Sequence, residues 1–234
     1  MKLQFPWRLQ LFYFIFNRSE FLMAQFDSIL FDLDGTLWDA TSVTAGIWQV
    51  VERNHPDIRG RVNRDTVQQY MGHTNEELAS LLFPEMPFAE GYALVMESCR
   101  EENRLLREKG GILYPDVREV LEALAGEYPL FIISNCQAGY IEVFLDTIGV
   151  GRYIADHECF ATGLPKGENI RLLMERNGIE QAIYVGDTQG DLNAADLAGI
   201  PFVYAAYGFG QVNRETEQIA SLGELPELAK RMLK

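Results

Sequence analysis

The stretch Ser28-Ile29-Leu30-Phe31-Asp32-Leu33-Asp34-Gly35-Thr36 decides how the chain is read. A short apolar run passes directly into two carboxylates, a glycine and a hydroxyl, the pattern of a buried strand that ends in polar chemistry. Alternation along an extended backbone puts Asp32 and Asp34 on one side, where one carboxylate can attack and the other can trade protons. Gly35 lets the backbone turn tightly just after them. Taken alone, the same residues also describe a capped turn with two solvated aspartates.

Working outward, further short apolar runs bounded by turn residues occur at Leu130–Ile133, 182–185 and Phe202–Ala205. Helical patterns over Val117–Ala125, 141–147, 169–177 and 192–198 separate them, the third stopped by Gly178 and the fourth by Gly199-Ile200-Pro201. This alternation predicts an α/β fold, a Rossmann-like parallel sheet with helices on both faces. Between the first two strands lie on the order of 100 residues, far beyond the dozen or so that one crossover needs. Val43, Ile47, Val50 and Val51 keep one face apolar, Thr74 with Glu77 forms a capping box, and a long helix is expected over Phe88–Lys109. An all-helical cap over 41–111 is therefore expected, inserted into a core of 23–40 and 112–234, with linkers near 39–41 and 110–115.

The apolar run at 9–16, behind Lys2 and Arg8, superficially suggests an export signal, but Asn17, Arg18, Ser19 and Glu20 interrupt it. It is shorter than the roughly 20 residues of a spanning helix and has no small-residue cleavage site. Residues 1–22 are read as an extension before a natural start at Met23, with an amphipathic surface segment as the rival.

Of the 234 residues, 47% are hydrophobic and 23% charged, enough to bury a core of ordinary globular type. A formal net charge of -14 opposes binding to nucleic acid and to anionic membranes. It would also repel a phosphorylated substrate, so any phosphate site must be rebuilt locally with cations, backbone N–H groups or metal. Cys99, Cys136 and Cys159 are too few and too scattered for a disulfide framework or a metal site, which points to a reducing cytoplasm. The positions six beyond them hold Leu105, Glu142 and Pro165, not the arginine that cysteine-based phosphate chemistry needs.

Three more segments end or follow predicted strands. Ser134-Asn135 offers a hydroxyl and an amide to a phosphate oxygen, although this pair is often just a helix cap. Lys166, in Gly163-Leu164-Pro165-Lys166-Gly167, is a lone cation in a rigid loop before a helix, where an exposed lysine is the plainer reading. Gly186-Asp187-Thr188-Gln189-Gly190-Asp191 puts two acids four apart with a glycine turn, oxygen ligands suited to magnesium, with a helix cap as the rival role for Asp191.

In this order, Asp-x-Asp-Gly-Thr, Ser-Asn, Lys and Gly-Asp-x-x-x-Asp resemble the haloacid dehalogenase superfamily over about 26–210. The insertion looks like the helical cap of its phosphoglycolate phosphatase and beta-phosphoglucomutase branch. The resemblance implies that Asp32 is the nucleophile and Asp34 the acid/base. It also implies that Asp187, Asp32 and the backbone carbonyl of Asp34 hold Mg2+ with Asp191 in support, and that Ser134, Asn135 and Lys166 hold the phosphoryl group. The expected activity is hydrolysis of a small phosphorylated metabolite, of phosphoglycolate or sugar phosphate type, through an aspartyl phosphate. A phosphomutase is the alternative, a hydrolytic dehalogenase a weaker one, and a catalytically idle binding module the non-enzymatic one.

The cap must supply discrimination. Tyr70, Gly72, His73 and Thr74 form an expected turn that can reach a substrate, against the plainer reading of a surface turn. Trp38, bulkier than is usual at its position in such families, is either a stacking surface or a packing contact. Cys136 and Gln137 lie beside Ser134 and can line the site. Glu97 and Arg104 read as solvated charges, and His55 and His157 receive no role.

Overall fold

A computed structural model describes residues 28–232. The extension proposed for 1–22 lies outside the described residues.

Six strands form one sheet in the order β5-β4-β1-β6-β7-β8, every neighbouring pair parallel. They are β1 (Ser28–Phe31), β4 (Leu130–Ile133), β5 (Ile154–Glu158), β6 (Ala182–Gly186), β7 (Phe202–Ala205) and β8 (Glu217–Ile219). β1, β4 and β6 are buried throughout, which is why they read as continuous apolar runs. β5 and β8 escaped the sequence reading because they are partly exposed edge strands, IADHE and EQI, without such a run.

Alternate strand residues divide the core in two. Ile29, Phe31, Ile132, Ile183 and Val185 pack against the helices Val117–Ala125, Tyr140–Ile148 and Leu225–Met232 on one face. Leu30, Phe131, Ile133 and Tyr184 pack against Lys166–Asn177 and Gln189–Ala198 on the other. Helices on both faces of a parallel sheet make the fold Rossmann-like, as expected.

Between β1 and β4 the chain forms α1 (Thr41–Asn54), α2 (Arg64–Gln69), α3 (Asn75–Leu82) and α4 (Phe88–Lys109). These helices enclose a separate cluster that includes Ile47, Trp48, Val51, Phe83 and Val95. The expected capping box forms, with Thr74 Oγ1 accepting from Glu77 N and Glu77 Oε2 accepting from Thr74 N. His55 and Glu97 are not idle: they meet at 3.0 Å and tie the end of α1 to α4. Arg104 does stay on the surface, paired with Glu101 and Glu108.

The two connections pair with each other as short antiparallel strands, β2 (Trp38–Asp39) and β3 (Ile112–Leu113). Among the described residues no helix is long and apolar enough to cross a membrane.

Candidate active site

Strand register brings the separated motifs together. Phe31 pairs with Ile132 on one side and with Val185 on the other. Asp32 therefore leaves the central strand beside the ends of β4 and β6, where Ser134 and Asp187 emerge. Adjacent strands in such a sheet lie only about 5 Å apart, so three loop starts share one small space.

Lys166 closes this space from beneath. It does not sit in a loop before the helix, as expected from sequence, but is the first residue of Lys166–Asn177, behind Pro165 at the cap position. Proline's fixed φ ends the loop and starts the helix there. Lys166 Nζ lies 2.8 Å from Asp32 Oδ1 and 2.6 Å from Asp191 Oδ1, and all three residues are buried.

Asp191 is not itself the helix cap that was its rival reading: Thr188 is, and Asp191 is its capping-box partner in the first turn. Its Oδ2 accepts from the backbone N and the hydroxyl of Thr188, at 3.0 and 2.6 Å, while the Tyr184 hydroxyl lies 3.2 Å from Oδ1. Both of its carboxylate oxygens are engaged within the protein.

Asp187 is different. Its Oδ2 accepts from Phe209 N at 2.7 Å, but its buried Oδ1 has no hydrogen-bond partner among the described residues. Asp32, Asp187 and Asp191 each present an oxygen within 4.8 Å of the others. An orphaned carboxylate oxygen in such a group matches the needs of a hard divalent cation, and one or two protein carboxylates suffice for magnesium.

The electrostatics follow from packing. Burial raises the pKa of Asp187, and Asp191 and Asp32 raise it further. Burial also raises Asp32, with Asp191 adding to the effect and Lys166 opposing it. For Lys166 burial works downward, but Asp191 and Asp32 outweigh it and hold the ammonium well above its usual range. Asp34 is pushed well up, chiefly by burial, with Asp32 and Glu102 adding; a bond from the Tyr140 hydroxyl at 2.7 Å opposes them. A carboxyl raised in this way keeps its proton to higher pH than a solvated aspartate does.

Above Asp32 and Asp34 lies a cavity of about 90 Å³ between the sheet and the helical insertion. Ser134, Asn135, Cys136 and Gln137 line it from below, and Tyr70, Gly72 and His73 from above. Asn135 has a structural part as well: its amide donates to Gly72 O at 2.8 Å and ties the insertion to the core. Burial pushes the Cys136 thiol well above its ordinary pKa, which suits packing and not nucleophilic attack.

Thr74 is not in this space, and of the two readings of Trp38 the structure shows the packing contact. Thr74 lines no part of the cavity, because its hydroxyl caps α3. Trp38 is fully buried at the root of the insertion, edge-on to Tyr140 and Phe144 at 5.5 and 5.1 Å. It is a packing residue, since β2 turns its ring into the core.

Sequence reasoning missed Tyr140, Glu102 and the loop Gly208-Phe209-Gly210. A Cβ on Gly208 would lie 2.2 Å from Asp187 Cβ, so only glycine lets this loop reach the carboxylate. Glycines flanking an aromatic just beyond a predicted strand were the available signal; nothing local marked Tyr140 or Glu102.

The haloacid dehalogenase-like hydrolase family model matches residues 29–205. A phosphoglycolate phosphatase of Shigella boydii is 24% identical over 205 residues, covering 77% of this chain and 81% of that protein. One of Aquifex aeolicus is 28% identical over 194 residues, covering 80% and 88%. A crystal structure described as a predicted phosphoglycolate phosphatase from Haemophilus somnus shares the fold with a TM-score of 0.73, at 21% identity, covering 88% of this chain and 99% of that one. With the ordered motifs, the sheet that assembles them and a family match spanning most of the chain, this protein belongs to the haloacid dehalogenase-like hydrolases.

Proposed function

We propose that the protein is a magnesium-dependent phosphatase acting on a small phosphate monoester, of phosphoglycolate or sugar phosphate type, with residues 41–111 as its cap. The observation that carries this reading is the meeting of Asp32, Asp187 and Lys166 in one buried space.

In the proposed mechanism an Asp32 oxygen forms a bond to phosphorus as the ester O–P bond breaks in line with it. Asp34, protonated at this stage, gives its proton to the departing alkoxide. Water then attacks the aspartyl phosphate while Asp34 takes up a proton, and cleavage of the Asp32–phosphorus bond releases inorganic phosphate. Asp34 must serve both as acid and as base, and burial raises its pKa, which favours the protonated form the first step needs.

A carboxylate about 3.5 Å from one phosphate charge, at an effective dielectric near 20, is repelled by roughly 4 to 5 kcal/mol. Lys166 offsets part of this, and Ser134 lines the phosphoryl side of the cavity. Asp32 and Asp187 would hold magnesium, which supplies positive charge to the phosphoryl oxygens when bound. Asp191 orients Lys166 and is a supporting residue for that site.

The three unpaired cysteines accord with a reducing, cytoplasmic setting, which belongs to the same proposal.

The test is hydrolysis of nitrophenyl phosphate with magnesium. Asp32→Asn is expected to abolish turnover, Asp34→Asn to slow it by at least about a hundredfold, and a chelator to stop it. Full activity in Asp32→Asn would end the mechanism.

A further inference from the structure

The cavity above the catalytic carboxylates is lined by acids and by one histidine, His73. Its ionisable acids are Asp32, Asp34 and Glu102, and neither lysine nor arginine lines it. The adjoining cleft past Gly72 adds Asp65 and Glu77 and again has no lysine or arginine. Lys166 lies below, engaged with Asp32 and Asp191, so it serves the phosphoryl end and not the space where the leaving group sits.

Glu102 comes from α4, in the insertion, and is held in place. Its Oε1 accepts from the Thr44 hydroxyl and its Oε2 accepts from Gln137 Nε2 at 3.0 Å. Burial raises its pKa, and these two donated bonds oppose that shift without cancelling it. It lies close enough to Asp34 to raise that residue's pKa. The rest of the upper wall is largely apolar, with Trp48, Val67, Leu82 and Val95. Each Glu102 oxygen accepts one bond from the protein and keeps a second lone pair, so the carboxylate can accept a further donor from a molecule in the cavity.

We infer that the leaving group of the substrate is neutral or cationic, and presents a hydroxyl or ammonium donor to Glu102. A leaving group with its own carboxylate, as in phosphoglycolate, would meet Glu102 with neither lysine nor arginine on the cavity wall to offset the repulsion. The inference rests on the phosphatase reading above and narrows it to esters of polyols or amino alcohols. Repulsion between like charges in a desolvated pocket discriminates strongly between otherwise similar partners.

The test compares kcat/KM for phosphoglycolate, glycerol phosphate and phosphoethanolamine, using the full chain with magnesium. The better of the two donor-bearing esters is expected to exceed phosphoglycolate by about 30-fold or more, and their ratio tells hydroxyl from ammonium. In Glu102→Gln, with folding checked by its thermal midpoint, the preference over phosphoglycolate should shrink about tenfold. Equal or better turnover of phosphoglycolate by the unmodified enzyme overturns the inference, whether or not the variant folds. So does an unchanged preference in a folded Glu102→Gln. An enzyme that cleaves nitrophenyl phosphate through Asp32 but prefers phosphoglycolate defeats this inference alone. Absence of Asp32-dependent cleavage of any ester defeats the phosphatase reading itself.

Discussion

Gly35 has φ +87, and a Cβ there would lie 2.3 Å from Asp187 Oδ2. Its smallness therefore serves two needs: a left-handed turn after Asp34, and room for a carboxylate that arrives from another strand. The first need was legible in the sequence as a turn after two acids. The second was not, because residue 187 approaches residue 35 only through the pairing of β1 with β6. Gly35→Ala is expected to destabilise the fold by about 3 kcal/mol or more, through strained φ and overlap together. Turnover should fall at least about a hundredfold as Asp187 is displaced. Thermal unfolding and ester hydrolysis check the two effects, and a variant as stable as the parent would show that the overlap relaxes freely.

The helix Lys166–Asn177 works at both ends. Its first residue reaches the Asp32 carboxylate, and Arg176 in its last turn clasps the edge strand β5. Arg176 Nε lies 2.7 Å from Asp156 Oδ2, Nη2 donates to His157 O at 2.7 Å, and Nη1 contacts Glu158. Burial alone would raise the Asp156 pKa, but hydrogen bonds from Arg176 and Asn177 outweigh it and hold the group below its ordinary value. A carboxylate depressed in the folded state stabilises it above the unfolded pKa and loses that contribution as pH falls through the folded one. Arg176→Ala is therefore expected to lower stability by about 1 kcal/mol at neutral pH, a modest figure because the pair is partly exposed. The difference from the parent should close below about pH 4, in the range where aspartate protonates. Denaturant midpoints across that range read the effect, and a gap that stayed constant would remove Asp156 from the explanation. At this scale the sequence reading found the helix but not the strand it clasps, since β5 has no apolar run of its own.

Across the whole molecule, three buried aspartates converge from two strand ends and a helix start, and one lysine is matched to them. Ligand that binds the folded state and not the unfolded chain stabilises it by mass action. Magnesium at about a hundredfold excess over its Kd is expected to raise Tm by about 5 °C or more. Asp187→Asn should lose that response and melt no lower than the parent without metal, because a buried carboxylate with an unpartnered oxygen has been neutralised. A parent Tm indifferent to magnesium would argue against the metal site. Strand, acid and glycine patterns belong to contiguous residues, so the α/β alternation, the helical insertion and the positions of Asp32, Asp34, Ser134, Lys166 and Asp187 could be read from the sequence alone. Only the tertiary structure decided that Asn135 holds the insertion, that Trp38 packs inward, and that Tyr140 and Glu102 reach Asp34's surroundings. The Tyr140–Asp34 bond spans 106 residues of chain, and no local pattern encodes a contact that exists only once β1, its helical insertion and β4 have packed together.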